Sequence, residues 1–377
     1  MLSQNELARY GRHLTLPEFG VDGQERLKAS SVLLIGAGGL GSPLGLYLAA
    51  AGVGTLGIVD GDVVEESNLQ RQVLFTTVDV GKSKAERAAV RLGELNPYIV
   101  IHPYNLWLSA DNALEIVAKY DLVIDGSDNF STRYLASDAC VLTGKPYVYG
   151  SIFQFEGQAS VFHYNNGACY RCLFPEPPPP GAVPSCAEGG VLGVLPAMIA
   201  SIQATEAIKI LTGIGETLSG RLLHYDAKGM RFRELKIARN PDCPMCGDHP
   251  TITTLTDYNV VCDDVLGESK DSTVKEISAP ELQALLAQND VQLVDVREPF
   301  EREICRIDHS LAIPLATLKD QLDTLDKSKA VVCYCKGGGR SANACQELDA
   351  AGFSEVYNLR GGILGWIDQV DSSLTRY

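Results

Sequence analysis

A glycine-rich turn between two short apolar runs constrains the fold of this chain more than any other feature. The run Val32–Ile35 precedes the turn, and an Ala/Leu-rich segment of helical character follows it as far as Ala51. A second run, Thr55–Val59, ends on an acid, Asp60. The turn itself contains Gly36, Gly38, Gly39 and Gly41. The pattern predicts a strand, a tight turn, a helix and a second strand, which together form one βαβ unit.

A unit of this kind binds nucleotides. The glycines let the backbone approach a phosphate closely, and the helix N-terminus offers unpaired N–H groups to it. The acid Asp60 follows at the spacing at which an acid binds ribose hydroxyls. Both a dinucleotide cofactor and ATP fit this pattern, so the rest of the chain must decide between them.

Length, composition and net charge limit which classes of protein this chain can belong to. A chain of 377 residues is long enough for two or three domains with cores of their own. It has no apolar run of membrane-spanning length and no N-terminal signal pattern, so we expect a soluble, cytoplasmic protein without a membrane partner. The net charge of −15 argues against a general nucleic-acid surface.

Polar and basic residues after Asp60 are candidates for phosphate contacts. Asn68 and Arg71 lie in a polar segment, and Lys84 begins a predicted helix. A single lysine is more often solvated than functional. The N-terminal cluster around Arg12, taken by itself, is best explained as the solvated face of a helix.

Acidic residues follow the apolar run that ends at Ile124. Asp125, Asp128 and Asn129 lie past the carboxyl end of this predicted strand, which is where open α/β sheets bind ligands. An aspartate beside a triphosphate is a natural Mg²⁺ ligand. A turn or helix cap is the alternative for each residue.

Two Cys-x-x-Cys pairs, Cys169/Cys172 and Cys243/Cys246, supply the four thiolates of a closed structural zinc site. Redox activity of either pair is the alternative. Eleven cysteines in a chain of this length indicate metal or thiol chemistry in a reducing compartment rather than a disulfide framework. A four-thiolate zinc has no open position, so the catalytic candidate here is the unpaired Cys186 at the end of a proline-rich loop.

The last hundred residues predict a second, smaller α/β domain. A strand at 330–334 runs into the loop CKGGGRS and then a helix. Cys335 begins this loop and Arg340 closes it, so backbone N–H groups, helix dipole and guanidinium together favour an anion there. A buried structural cysteine, such as Cys333 or Cys345, is the alternative.

Two family resemblances cover nearly the whole chain. The stretches RYGRHLTLPEFG, GAGGLGS, SNLQRQ, DGSDN, CYRC, PSCAE and NPDCPMCG resemble the E1-like (MoeB/ThiF-like) adenylyltransferases that activate sulfur carriers for molybdopterin and thiamine synthesis. The stretches VDVRE, ICRI, IPL, CKGGGRS and LRGGILGW resemble a rhodanese domain. The resemblance implies a Rossmann-like adenylylation domain with a zinc clamp at 1–247 and a rhodanese sulfurtransferase domain at 274–377. The polar, acidic composition of the segment between them indicates a linker at 248–273.

The resemblance also implies roles for individual residues. Arg71 acts in catalysis, and Arg12 reaches into the site of the neighbouring subunit of a homodimer. Cys186 is the candidate for a thioester with the carrier, and Cys335 carries a persulfide beside Arg340. The ATP site is expected to comprise Gly39, Asp60, Ser67, Asn68, Leu69, Gln70, Arg71, Lys84, Asp128 and Asn129, with Asp60 on the ribose and Asp128 near Mg²⁺.

The implied reaction is ATP-dependent adenylylation of the C-terminal glycine of a ubiquitin-like, MoaD/ThiS-like carrier, followed by sulfur transfer from Cys335. The implied sulfur donor is a cysteine desulfurase or thiosulfate. Two other functions stay open on the residues alone. An NAD-dependent oxidoreductase fits the glycine-rich unit and Asp60, and a non-catalytic binding module fits two α/β domains whose loops have lost activity.

Overall fold

The computed structural model describes residues 1–178, 189–257, 274–288 and 291–377, which form two compact units. The first unit contains the described residues up to 257, and the second contains those from 274 onward. Residues 248–257 of the predicted linker belong to the first unit, where the Asp257 carboxylate accepts a hydrogen bond from the amide of Ala110. Residues 258–273 lie outside the described part. No helix within the described ranges is long and apolar enough to cross a membrane.

The first unit is built on an eight-stranded sheet with the order β3-β2-β1-β4-β5-β6-β7-β8. Its strands are β1 (Ser31–Ile35), β2 (Thr55–Val59), β3 (Val100–Tyr104), β4 (Leu122–Asp125), β5 (Tyr147–Phe153), β6 (Glu156–Phe162), β7 (Arg221–Asp226) and β8 (Arg231–Lys236). Strands β1 to β5 pair in parallel, and β5 to β8 pair antiparallel. The parallel half is the Rossmann-like part that the sequence predicts.

The helices of the first unit differ in how much of their surface is buried. They are α1 (Gln4–Arg9), α2 (Gly11–Leu14), α3 (Gly20–Ala29), α4 (Gly41–Ala51), α5 (Lys84–Leu95), α6 (Ala113–Ala118), α7 (Phe130–Thr143), α8 (Tyr170–Leu173) and α9 (Leu195–Thr212). In α5, Ala85, Ala88 and Leu92 are buried on one face, and the Ser83 hydroxyl caps the N-terminus by accepting from the amide of Glu86. The predicted βαβ unit is therefore confirmed as β1, α4 and β2.

Strand side chains alternate between two cores, as the pleat of a sheet requires. Leu34 of β1 packs in one core with Leu44 and Leu48 of α4. Leu33 and Ile35 point into the other core, which contains residues of α6 and α7. Because both faces are covered, β1, β2 and β4 are largely apolar along their length, and their carboxyl ends are left for polar chemistry. The edge strand β3 is mostly exposed.

The second unit has a five-stranded parallel sheet with the order β11-β10-β12-β13-β9. Its elements are β9 (Lys275–Ile277), α10 (Ala279–Ala287), β10 (Val291–Asp295), α11 (Pro299–Ile304), β11 (Leu311–Ala312), β12 (Ala330–Tyr334), α12 (Gly339–Ala350), β13 (Val356–Leu359) and α13 (Gly362–Gln369). The central strand β12 pairs with β10 and β13 and is buried on both faces. It delivers the loop after Tyr334 to the carboxyl edge of the sheet, which confirms the predicted smaller α/β fold.

Candidate functional site

The carboxyl end of the parallel strands holds the nucleotide loop, residues 36–41, which joins β1 to α4 and includes the first residue of that helix. A Cβ on Gly41 would lie 1.9 Å from the carbonyl oxygen of Gly36, so only glycine fits at position 41. Oδ2 of Asp60 accepts a 2.7 Å hydrogen bond from the amide of Ala37 and ties the loop to the end of β2. The loop therefore offers backbone rather than side chains to a phosphate.

Charged side chains form a cluster beside this loop. Burial raises the pKa of Asp60, and the nearby Lys84 charge and two backbone N–H groups offset that rise only in part. Oδ1 of Asp60 accepts a 2.9 Å hydrogen bond from the amide of Asp62. The buried Lys84 ammonium lies 2.9 Å from Oδ2 of the exposed Asp62. A phosphate that reached Lys84 would have to compete with Asp62 for it.

A 3₁₀ turn at Glu66–Asn68 places Arg71 beside the nucleotide loop. A Cβ on Gly39 would lie 3.6 Å from Cδ of Arg71. Nη1 of Arg71 donates to the carbonyl of Ser67 at 3.3 Å. Asn68 is buried, and its Oδ1 accepts from the amide of Glu65 at 3.3 Å. The polar segment predicted from the sequence thus lies where its guanidinium can reach an anion on the loop.

The polar candidates at the end of β4 have different environments in the structure. Asp125 is the last residue of β4 and fully buried, and its carboxylate accepts from the hydroxyls of Ser127 at 2.6 Å and Tyr147 at 2.7 Å. These internal hydrogen bonds occupy the Asp125 carboxylate, so its role is structural. Asn129 caps α7 by accepting from the amide of Thr132 at 2.8 Å. Asp128 is exposed, so it is the acid at this edge that remains open to a cation or ligand.

The other candidates for the ATP site are exposed or half-buried. Ser67 and Gln70 are exposed, and Leu69 is half-buried against the core. Arg12 is exposed on α2, with its guanidinium open to solvent in a single chain. The structure thus brings together the loop, Asp60, Arg71 and Lys84.

The two Cys-x-x-Cys pairs meet in the first unit. The Sγ atoms of Cys169 and Cys243 are 3.5 Å apart, and those of Cys172 and Cys246 are 3.4 Å apart. All four sulfurs lie within 4.8 Å of one another. A tetrahedral zinc with four bonds of about 2.3 Å places its sulfurs about 3.8 Å apart. The four cysteines therefore fit a zinc ion.

Local contacts shape the cysteine cluster. The guanidinium of Arg239 donates twice to the carbonyl of Cys246, at 3.1 and 2.8 Å, and the amide of Asn240 donates to Sγ of Cys172 at 3.3 Å. Cys169 and Cys243 are buried, whereas Cys172 and Cys246 are half-buried. An N–H donor to sulfur and a closed set of four thiols are typical of a structural site.

A loop with a single cysteine, Cys335, follows β12 in the second unit, in contrast to the four-cysteine cluster of the first unit. Cys335 is fully buried, and its Sγ accepts from the amide of Gly338 at 3.1 Å and from the hydroxyl of Ser341 at 3.3 Å. Gly338 has a φ of +117° and precedes α12, so the loop can turn its amide onto the sulfur. These two donors fix the position of the Cys335 sulfur at the N-terminus of α12.

Arg340 is engaged within this unit. Its Nη1 and Nη2 donate to the two carboxylate oxygens of Glu301, at 2.7 and 2.8 Å. Burial alone would raise the pKa of Glu301, but the hydrogen bonds and charge of Arg340 lower it below its ordinary value. The Tyr377 hydroxyl donates to Oε1 of Glu301 at 3.1 Å. The arginine that the sequence assigns to an anion is therefore held by an internal carboxylate.

The sequence reasoning missed three residues of this second site: Glu301, Ser341 and Tyr377. Ser341 lies inside the loop motif already singled out, so its proximity to Cys335 could have been found. Glu301 and Tyr377 reach the loop only through tertiary packing. Glu301 lies 39 positions before its partner Arg340, and Tyr377 lies 76 positions after its partner Glu301. The predicted candidate Cys186 lies outside the described residues.

Comparison with known proteins gives the same two-part organisation. The ThiF family model matches residues 10–245, and the rhodanese-like domain model matches residues 278–369. The probable adenylyltransferase/sulfurtransferase MoeZ of Mycobacterium tuberculosis is 51% identical over 387 residues, with 100% of this chain and 96% of that protein covered. The sulfur carrier protein adenylyltransferase of Thermus thermophilus is 57% identical over 265 residues, covering 69% of this chain and 98% of that protein.

A solved structure agrees on the fold. The crystal structure of E. coli MccB superimposes with a TM-score of 0.57 at 24% identity, covering 65% of this chain and 74% of that chain. Because the family model spans most of the first unit and a relative at 51% identity spans the whole chain, this chain belongs to the ThiF family and carries a C-terminal rhodanese-like domain.

Proposed function

We propose that this chain adenylylates the C-terminal glycine of a ubiquitin-like sulfur carrier and then delivers sulfur from Cys335, leaving a thiocarboxylate on the carrier. The observation that carries the proposal is the presence, on one chain, of a ThiF-family nucleotide site and a rhodanese-like cysteine loop. The names of the relatives, adenylyltransferase/sulfurtransferase and sulfur carrier protein adenylyltransferase, support both halves.

The first step joins the carrier to AMP. An oxygen of the carrier's terminal carboxylate attacks the α-phosphorus of ATP, and the bond from that phosphorus to pyrophosphate breaks. Arg71 lies beside the nucleotide loop, where it can stabilise the charge that develops on the phosphates. Lys84 does the same after exchanging Asp62 for phosphate oxygen. Asp60 lies at the end of β2, where it can bind the ribose hydroxyls.

The second step replaces oxygen by sulfur. The outer sulfur of a Cys335 persulfide attacks the activated carbonyl carbon, and AMP leaves with the electron pair of the broken bond. The product is an acyl disulfide between carrier and Cys335. A reductant thiol then attacks Sγ of Cys335, so that the S–S bond breaks, the thiocarboxylate leaves and a mixed disulfide forms on Cys335. A second equivalent of the thiol releases Cys335 and is oxidised to the disulfide. Before this step, the Gly338 amide and the Ser341 hydroxyl hold the loop sulfur in place.

The proposal includes two metal ions, zinc and Mg²⁺, at separate sites. Cys169, Cys172, Cys243 and Cys246 hold zinc, which joins two distant segments and takes no part in the chemistry. Mg²⁺ accompanies ATP, and Asp128 is its protein ligand, because it is the exposed carboxylate at the end of β4.

Several further assignments belong to the proposal. The chain acts as a homodimer in which Arg12 enters the site of the partner subunit, an arrangement compatible with its exposure on α2. The remaining residues that line the nucleotide are Ser67, Asn68, Leu69, Gln70 and Asn129. Cys186 serves as an optional thioester site.

Thiosulfate or a cysteine desulfurase supplies the sulfur, in a reducing, cytoplasmic setting that keeps the thiols free. The proposed domain limits are 1–247, 248–273 and 274–377, and residues 248–257 of this linker belong to the first compact unit.

The two other functions are not favoured. An NAD-dependent oxidoreductase would use the nucleotide loop but would leave the four-cysteine cluster and the Cys335 loop without a purpose. A binding module would have no need for a sulfur held by two donors or for a buried lysine at the nucleotide loop.

The test is the intact mass of a Gly-Gly-ending sulfur carrier after incubation with the protein, Mg²⁺-ATP, a sulfane-sulfur donor and a mild thiol reductant. We expect the mass gain of one oxygen replaced by sulfur, dependent on ATP and lost in Cys335→Ala. Cys345→Ala, a buried cysteine in the same unit, is the matched control. Pyrophosphate release without the mass gain would refute the sulfur step, and neither signal would refute the proposal as a whole.

A further inference from the structure

Trp107 is more exposed than a tryptophan of a folded domain normally is. Its relative exposure is 63%, whereas the large ring is usually mostly covered. The segment that carries it is not loose. Leu106 and Leu108 pack on the second core, and the Asn112 side chain donates to the carbonyl of Trp107 at 2.9 Å. Because the flanking leucines point inward, the indole between them is held outward in a fixed position.

The indole ring of Trp107 lies over Gly61, which follows Asp60, the acid proposed to bind the ribose. A Cβ on Gly61 would lie 2.8 Å from Cε2 and 2.9 Å from both Cδ2 and Nε1 of Trp107. A point equally far from three such atoms, at this distance, stands above the face of the ring and not at its edge. One face of the indole therefore covers the backbone of Gly61. The exposure of Trp107 leaves the ring accessible elsewhere.

The order of the strands places this indole in line with the nucleotide site. The nucleotide loop follows β1, Asp60 follows β2, and Trp107 lies three residues beyond β3. These strands are neighbours in the order β3-β2-β1, and the amide of Asp60 donates to the carbonyl of Tyr104 at 3.1 Å. Phosphates, ribose and base follow one another in a nucleotide in the same order.

We propose that Trp107 forms a wall of the base pocket and that the adenine of ATP stacks on its indole. The inference rests on the proposed function, since it takes ATP as the nucleotide. Aromatic stacking on a base is tolerant of sequence but depends on ring area. The Trp107→Ala variant should therefore bind Mg²⁺-ATP about 10- to 100-fold more weakly, and Trp107→Phe, which keeps a smaller ring, should lose less.

Fluorescence tests the contact directly, because the chain has only two tryptophans. The other, Trp366, is buried in the second unit at 7% exposure. In full-length Trp366→Phe protein, Mg²⁺-ATP should change the emission of Trp107 and saturate at the dissociation constant measured by calorimetry. The change should be absent in Trp107→Phe.

A ligand without a base separates stacking from damage to the loop. Inorganic tripolyphosphate with Mg²⁺ should bind the wild type and Trp107→Ala equally. If that variant loses affinity for tripolyphosphate as much as for ATP, the base-wall role is overturned. Calorimetric binding of ATP with unchanged Trp107 emission and unchanged Trp107→Ala affinity would also overturn it, while the proposed function would stand. Failure of the wild type to bind ATP would overturn both.

Discussion

Replacing Cys172 and Cys246 together by serine removes one thiolate from each Cys-x-x-Cys pair and should open the link between them. These two cysteines are the half-buried members of the cluster, so the new hydroxyls can be hydrated and the core is little disturbed. The link closes a loop of 74 residues. By the chain-entropy relation used for cross-links, a loop of that length is worth about 4 kcal/mol. For a unit of this size, that loss lowers the melting temperature by about 10–15 °C.

The assay pairs metal content with thermal unfolding. Elemental analysis should find one zinc per wild-type chain and little in the double variant, and calorimetry should show the lower transition for the first unit. Cys345→Ala removes a buried cysteine from the second unit and should leave the zinc content unchanged. Full zinc occupancy in the double variant would refute the assigned ligands. Loss of zinc with a melting temperature within about 2 °C of the wild type would refute the cross-link reasoning.

Further substitutions test the two loops and the ion pair between Arg340 and Glu301. Gly41→Ala places a Cβ 1.9 Å from the carbonyl of Gly36, so the nucleotide loop must move, and calorimetry should show ATP binding at least about tenfold weaker. Gly338→Ala forces a side chain onto a φ of +117° at a cost of about 1–3 kcal/mol and should slow sulfur transfer, whereas Gly337→Ala adds a methyl in open space and should not. Glu301→Gln breaks the buried ion pair. Since the folded-state pKa of Glu301 lies below its ordinary 4.5, the stability lost by this variant should be full above about pH 5 and should shrink as the pH falls through the folded-state pKa.

Each substitution has an outcome that contradicts its reasoning. Wild-type ATP affinity in Gly41→Ala would mean that the loop accommodates a side chain. Equal sulfur-transfer rates in the two alanine variants at positions 337 and 338 would mean that backbone conformation does not orient the loop. A stability difference for Glu301→Gln that is independent of pH between 3 and 7, measured by denaturant unfolding, would mean that its carboxylate is not held ionised by Arg340.

The fold followed from the sequence where the signal was local. The apolar runs, the glycine turn and the helical repeat of α5 each occupy a dozen consecutive residues or fewer, and each formed as predicted. Asp128 and Arg71 could also be placed, because both lie a few residues from a strand or turn that the pattern locates. The burial of Asp125 could not be predicted, since its partner Tyr147 comes from the neighbouring strand β5.

The sequence by itself determined the chemistry available to this protein: a glycine-rich βαβ unit, two pairs of thiols and a cysteine at a strand-to-helix loop. Tertiary structure decided which of these groups meet. It brought Cys169 to Cys243, placed Arg340 on Glu301 and laid the indole of Trp107 over Gly61. The physical reason is that local preferences act over a few residues, whereas these contacts depend on the strand order and packing of whole sheets.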